Sequence, residues 1–175
     1  MSTNANVIRT VSNGEPMGEP TRRTTIDHLI ATYRELNMRV RPLPEAELTR
    51  AGAEGSVQDI VKRMRADELT FAQALKERLS GVPSVEIQGE TAPIIGTETD
   101  EDTTVHLISQ FGTARATTLS MIQGISDADW SAPVEGTTSV ADRIQSLATN
   151  DELQLERIRA LLGGTTPVGI GEAVR

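Results

Sequence analysis

A chain of 175 residues suits one domain with tails better than two domains. Its formal charge is −8, and such a surface repels phosphate backbones and anionic lipid, so neither nucleic acid nor a membrane surface is an expected partner. Four aromatic residues, Tyr33, Phe71, Phe111 and Trp130, are too few to make a stacking platform for single strands, and they leave the core to aliphatic side chains.

Cysteine is absent, which excludes disulfides, thiolate catalysis and thiolate-bound zinc. Lys62 and Lys76 are the only lysines, an arginine bias typical of GC-rich genomes of the actinobacterial type. The opening MSTNANVIRTVSNGEP lacks the apolar stretch of a secretory signal, and no run reaches the ~18 apolar residues of a membrane span. The expected location is the cytoplasm.

Residues 1–23 are polar and broken by Gly14, Pro16, Gly18 and Pro20, a pattern that predicts a flexible arm. Helix is expected from Thr24 or Thr25, with Ile26, Leu29, Ile30, Tyr33, Leu36 and Val40 at helical spacing and a stop at Pro42 and Pro44. A second helix starts at Ser56, where Ser56 and Asp59 have capping-box spacing. Its stripe is Val57, Ile60, Val61, Met64, Phe71, Leu75 and Leu79, and Gly81 closes it. Residues 82–103 form a long acidic connection in which a short edge strand at Val85–Ile87 fits without being required. The third helix is expected from about Asp102 to Gln123, through Val105, Ile108, Phe111, Leu119 and Ile122. The fourth runs from Thr138 or Ser139 to Leu162, through Val140, Ile144, Leu147, Leu155 and Ile158, and residues 164–175 read as a tail.

The chain repeats itself. LPEAEL (43–48) matches ISDADW (125–130), SVQDIV (56–61) matches SVADRI (139–144), and the register continues through Met64 with Leu147, Asp67 with Asn150, and Leu75 with Ile158. Each half reads as helix, loop, capped helix, and neither buries its apolar face alone. The expected fold is therefore all-α: a four-helix bundle of two helical hairpins over residues 24–163, joined by a long crossover.

Polar residues interrupt the inward stripes at matching depth: Asp67 or Glu68 on the second helix, Asp151 and Gln154 on the fourth. Unpaired burial costs on the order of 1–3 kcal/mol per group. Three readings stay open: the stripe is displaced by one position and these groups are at the surface, they form a buried network fixing register, or they line a ligand site.

SVQDIVKRMRADE, ATTLSMIQGISDADWSAP and TTSVADRIQSLATNDELQLERIRALL, in this order and spacing around the Trp130 turn, resemble the DinB-like (YfiT-like) superfamily over about residues 24–163. That group includes metalloenzymes, bacillithiol S-transferases and mycothiol-dependent maleylpyruvate isomerases. The resemblance implies a divalent metal held by three histidines between the second and fourth helices. Here those positions are Arg63, Asn150 and Gln154. Arginine is always protonated and offers no lone pair, so it cannot ligate a cation.

His28 and His106 match no ligand position, and no metal or other cofactor is expected. An oxygen-only site from Asp67, Glu68 and Asp151 would be opposed by Arg63. The expectation is instead a hydrogen-bonded cluster of Arg63, Asp67, Asn150, Asp151 and Gln154 at the degenerate metal position, with Arg63 read either as its centre, as an anion-binding guanidinium facing the cleft, or as a solvated residue. Ser56 and Ser139 read as helix caps, and no catalytic residue is assigned.

The function this implies is a metal-free bundle that binds a small molecule or a protein without catalysis. A thiol-dependent S-transferase or isomerase, and a structural subunit of a larger assembly, are the competing readings. Expected associations are a homodimer through bundle faces and a protein partner on the terminal tails.

Overall fold

The computed structural model describes residues 19–52, 55–81 and 103–163. Among these, four long helices and two short ones follow in the order α1 (Glu19–Glu35), α2 (Glu45–Leu48), α3 (Val57–Ser80), α4 (Thr104–Gln123), α5 (Asp127–Trp130) and α6 (Val140–Gly163). The architecture is the expected all-α bundle. A small antiparallel pair, β1 (Pro133–Glu135) with β2 (Thr138–Ser139), was not anticipated; Gly136, at φ 57°, makes its turn. No helix among the described residues is long and apolar enough to cross a membrane.

The helix starts are where short-range chemistry puts them. The Ser56 hydroxyl accepts the Asp59 N–H while the Asp59 carboxylate accepts the Ser56 N–H, the reciprocal capping box. Ser139 with Asp142, and Ser126 with Asp129, repeat the first half of that device at α6 and α5. Gly81, at φ 64°, ends α3 by donating its N–H to the Glu77 carbonyl.

One boundary is corrected. The expected arm over residues 1–23 gives way to helix from Glu19. Pro20 does not prevent this, because the first turn needs no N–H from it. Arg22 anchors this turn: Nη2 donates to the carbonyls of Ile122 and Ile125, and the guanidinium lies 4.3 Å from the Trp130 ring centre. A cation at the C-terminal end of α4 also meets the negative pole of that helix. At its other end α1 widens into a π-helical turn, Leu36–Val40, and the Arg41 N–H reaches back to Leu36 before Pro42 ends it. The crossover, the Val85–Ile87 strand and the C-terminal tail lie outside the described residues.

Each long helix has two neighbours: α3 packs on α4 and α6, and α1 on α6 and α4. The two long helices of each repeat half therefore face one another diagonally across the core, and the halves interleave. Side-chain pairs give the directions. Arg65 with Gln110 and Glu68 with Arg115 make α3 and α4 parallel; Asp67 with Arg143, and Ile60 in one apolar cluster with Ile158, make α3 and α6 antiparallel. A helix of 24 residues is about 36 Å long. The end of α3 and the start of α4 thus lie at opposite ends of the bundle, which is why the sequence needs a long connection there.

Two apolar clusters fill the core. One gathers Leu36, Val40, Leu48, Ile60, Met64, Leu107, Phe111 and Ile158; the other gathers Leu29, Phe71, Leu75, Ile122, Trp130, Ile144 and Leu147. Leu48 and Trp130, equivalent in the repeat, fall one in each cluster. Along every long helix the change from one cluster to the other falls at a polar residue.

Candidate functional site

That polar layer is the candidate site. Thr32 of α1, Glu68 of α3, Arg115 of α4 and Asp151 of α6 are all buried, none more than 4% exposed. The repeat register that matches Asp67 with Asn150 also matches Glu68 with Asp151, so equivalent positions of the two halves supply the two carboxylates. Arg115 lies between them. Its Nε donates to Glu68 Oε2 at 2.9 Å, and its Nη1 donates to Asp151 Oδ2 at 2.8 Å and to the Leu29 carbonyl at 3.0 Å. Nη2 is 2.8 Å from Glu68 Oε2, a distance for ion pairing but without hydrogen-bond alignment. The guanidinium also stands 4.8 Å from the Phe111 ring centre.

The electrostatics follow from one cation buried with two carboxyl groups. Burial pushes the Asp151 carboxyl above its ordinary value, against the opposing pull of Arg115 and a hydrogen bond from Thr32. Burial alone would lower Arg115, but Glu68 and Asp151 outweigh it and hold the guanidinium above its usual range. Arginine neither gives nor takes a proton near neutrality, so Arg115 holds a fixed positive charge between the two carboxyl groups. Glu68 Oε1 and the Thr118 hydroxyl have no hydrogen-bond partner among the described residues.

The sequence pointed to the right depth and to the wrong arginine. Asp151 and Gln154 are buried, so the surface reading does not hold for them, and of the pair Asp67 or Glu68 it is Glu68 that turns inward. Arg63 does not join them: it is exposed, and its Nε donates to the Asp59 carbonyl of its own helix. Buried positions on α3 run Val57, Ile60, Val61, Met64, Arg65 and Glu68, and position 63 falls on the opposite side of that arc. Asp67 is half-buried and pairs instead with Arg143 at 2.6 Å. Asn150 and Gln154 bond to each other along α6, where Gln154 Nε2 donates to Asn150 Oδ1 at 3.0 Å. The expected five-residue cluster is therefore four separate arrangements, Asp151 with Arg115 being the fourth. Arg115 was missed, although it stands on the α4 stripe four residues after Phe111 and four before Leu119.

The residues present do not fit a metal. Among the described residues no three His, Cys, Asp or Glu side chains gather closely enough to hold one. The two buried carboxylates already share a guanidinium, and His28 and His106 are exposed.

Outside the core, the face of α4 carries two adjoining depressions. One of about 450 Å³ lies between α3 and α4 and includes Leu69, Ala72, Gln73, Lys76, His106 and Gln110 in its walls. The other, about 630 Å³ and shallow, lies on the α1 side beside Tyr33, Gly112 and Ala116. Thr113 and Thr117 border both. The backbone approach under the second is close: a β-carbon on Gly112 would sit 2.2 Å from the Tyr33 ring.

No protein-family model, no curated protein and no solved structure matches this chain.

Proposed function

We propose that this chain is a DinB-like bundle working as a non-catalytic binding module, its centre closed by an internal ion network and its recognition surface on the outside of α4. One observation carries the reading: Arg115 lies 2.8 Å from both Glu68 and Asp151 in the bundle centre, while the positions for which the resemblance implies histidines hold Arg63, Asn150 and Gln154. A fixed positive charge there repels a cation and occupies the carboxylates that would bind it. The order of elements, the matched serine caps and the Trp130 turn support the family resemblance. The two depressions fall within the ~300–1,000 Å³ range of small-molecule sites and give the module somewhere to bind.

The test is elemental analysis of protein purified without a chelating tag, before and after incubation with Zn²⁺, Ni²⁺ and Mn²⁺ followed by desalting. The expected content is far below one metal per chain in every case. One tightly retained transition ion per chain would overturn the proposal.

A further inference from the structure

Leu69, Ala72, Gln73 and Lys76 fall at i, i+3, i+4 and i+7 and so share one face of α3; His106, Gln110, Thr113 and Thr117 share one face of α4 in the same way. Because the two helices run parallel and side by side, these faces meet along a groove of about 450 Å³. Its apolar surface comes from Leu69, Ala72 and Ala114 and from the threonine methyl groups. The chain has 25 acidic residues against 17 basic ones, yet among the described residues no carboxylate lines this groove and Lys76 does.

We propose that this groove binds a small amphipathic carboxylate, an acyl or aryl acid whose anionic end meets Lys76 and whose body lies on Leu69, Ala72 and Ala114. This rests on reading the outside of α4 as the recognition surface and names the class of ligand. The groove offers donors at both ends. At one end Arg65 Nη1 donates to Gln110 Oε1 at 2.5 Å, so the amide nitrogen of Gln110 is the atom turned to His106 Nε2, 2.7 Å away. That amide therefore brings N–H groups, and its carbonyl is already engaged. At the other end Lys76 is exposed, and among the described residues no carboxylate pairs with it. Glu77, its neighbour in sequence, is bonded by Gln73 Nε2 at 2.8 Å.

Geometry gives the ligand a length. Arg65 lies beside Gln110, and Lys76 is about three turns further along α3, which puts it at the Thr117 end. Helical side chains lean toward the N-terminus, so the ammonium is directed back over the turn that holds Ala72 and Gln73. Gln110 and Thr117 are about 10 Å apart along α4, the span left for an apolar body. Charge selects its head group. The net charge of −8 works against an anion at long range, but screening over about 8 Å at physiological salt leaves the adjacent lysine to decide. A cationic ligand would meet Lys76 and, behind Gln110, the buried guanidinium of Arg65.

Amide NMR of the full chain, titrated into the millimolar range with octanoate, octanamide and octylammonium, tests this. Octanoate is expected to give saturable shifts at Ala72, Lys76, Thr113 and Thr117 and to bind more tightly than octanamide, with octylammonium weakest. Lys76→Met should weaken octanoate by about fivefold, the worth of an exposed ion pair, and leave octanamide unchanged. Lys76→Glu should reverse the order and favour octylammonium. Ala72→Leu, which fills the groove, should weaken octanoate and octanamide alike with unchanged circular dichroism. Absence of saturable shifts, whether or not another part of the chain fills the groove, overturns the proposal. So does octylammonium binding to the wild type as tightly as octanoate, or octanoate binding that neither Lys76 variant alters. Metal content is measured without any of these ligands, so this proposal and the non-catalytic reading can fail separately.

Discussion

Arg115 Nη1 donates to Asp151 Oδ2 across 2.8 Å, with both side chains withdrawn from solvent. Because Arg115 also bonds Glu68 and the Leu29 carbonyl, this one side chain from α4 touches all three of the other long helices. Two apolar clusters meet at this layer. Sliding any helix by one turn would strand a charge against Leu or Phe, so the layer fixes the relative heights of the four helices. Net stabilisation is a separate matter, because desolvating an ion pair offsets most of its attraction.

Asp151 makes stability depend on pH in a definite direction. Its folded carboxyl titrates above the ordinary 3.8 because burial disfavours the charged form. The folded chain therefore holds that proton more tightly than the unfolded one. Its favourable contribution is complete below 3.8 and is lost as the pH rises through the raised folded value. In Asp151→Asn this loss disappears, so urea unfolding across a pH series should show the variant gaining on the wild type over that window and running parallel above it. Curves parallel throughout would contradict the assignment.

Gly112 is required by the Tyr33 ring. A β-carbon there would sit 2.2 and 2.4 Å from two ring atoms and 2.7 Å from the hydroxyl. Gly112→Ala gains about 1 kcal/mol of helix propensity but forces Tyr33 and α1 outward, an overpacking cost of ~1–3 kcal/mol. Net destabilisation is expected, and Tyr33→Leu in the same chain should relieve part of it. A thermal melt of the single and double variants checks this; a stabilised Gly112→Ala would refute the contact.

The capping serines are separable from the core. Ser56→Ala removes the acceptor of the Asp59 N–H and half of the capping box, and should cost about 1 kcal/mol. Asp59 is held below the ordinary carboxylate range chiefly by its hydrogen bond with the Ser56 hydroxyl, so in Ser56→Ala it should titrate higher, readable by NMR. An unchanged Asp59 titration would count against the cap.

How much of this was legible follows from the range of each signal. The Ser56–Asp59 and Ser139–Asp142 devices span three residues, and the sequence carries them whole. The helical period placed Asp151 and Gln154 inside because their own helix sets that geometry. Arg63 and Arg115 show the limit. Both lie in helices rich in polar groups, and the family pattern drew attention to position 63, while Arg115 was passed over although it stands in line with Phe111 and Leu119. Which arginine meets the carboxylates depends on α3 and α4 running parallel side by side, and no local pattern encodes that. The start of α1 at Glu19 was hidden for the same reason: the carbonyls that hold Arg22 are 100 and more residues away.

The contrast between the two arginines gives a further expectation. Arg63 is exposed and bonds only within its own helix, so Arg63→Ala should change stability by no more than about 0.5 kcal/mol. A larger loss in urea unfolding would mean that position 63 does work the structure does not show.

The most direct measurement is the urea unfolding free energy of Arg115→Met at neutral pH. If Arg115 clasps Glu68 and Asp151 at the bundle centre, its removal leaves two carboxyl groups buried without their cation, and the loss should be about 3–5 kcal/mol. A variant as stable as the wild type would show that the centre is held by something else.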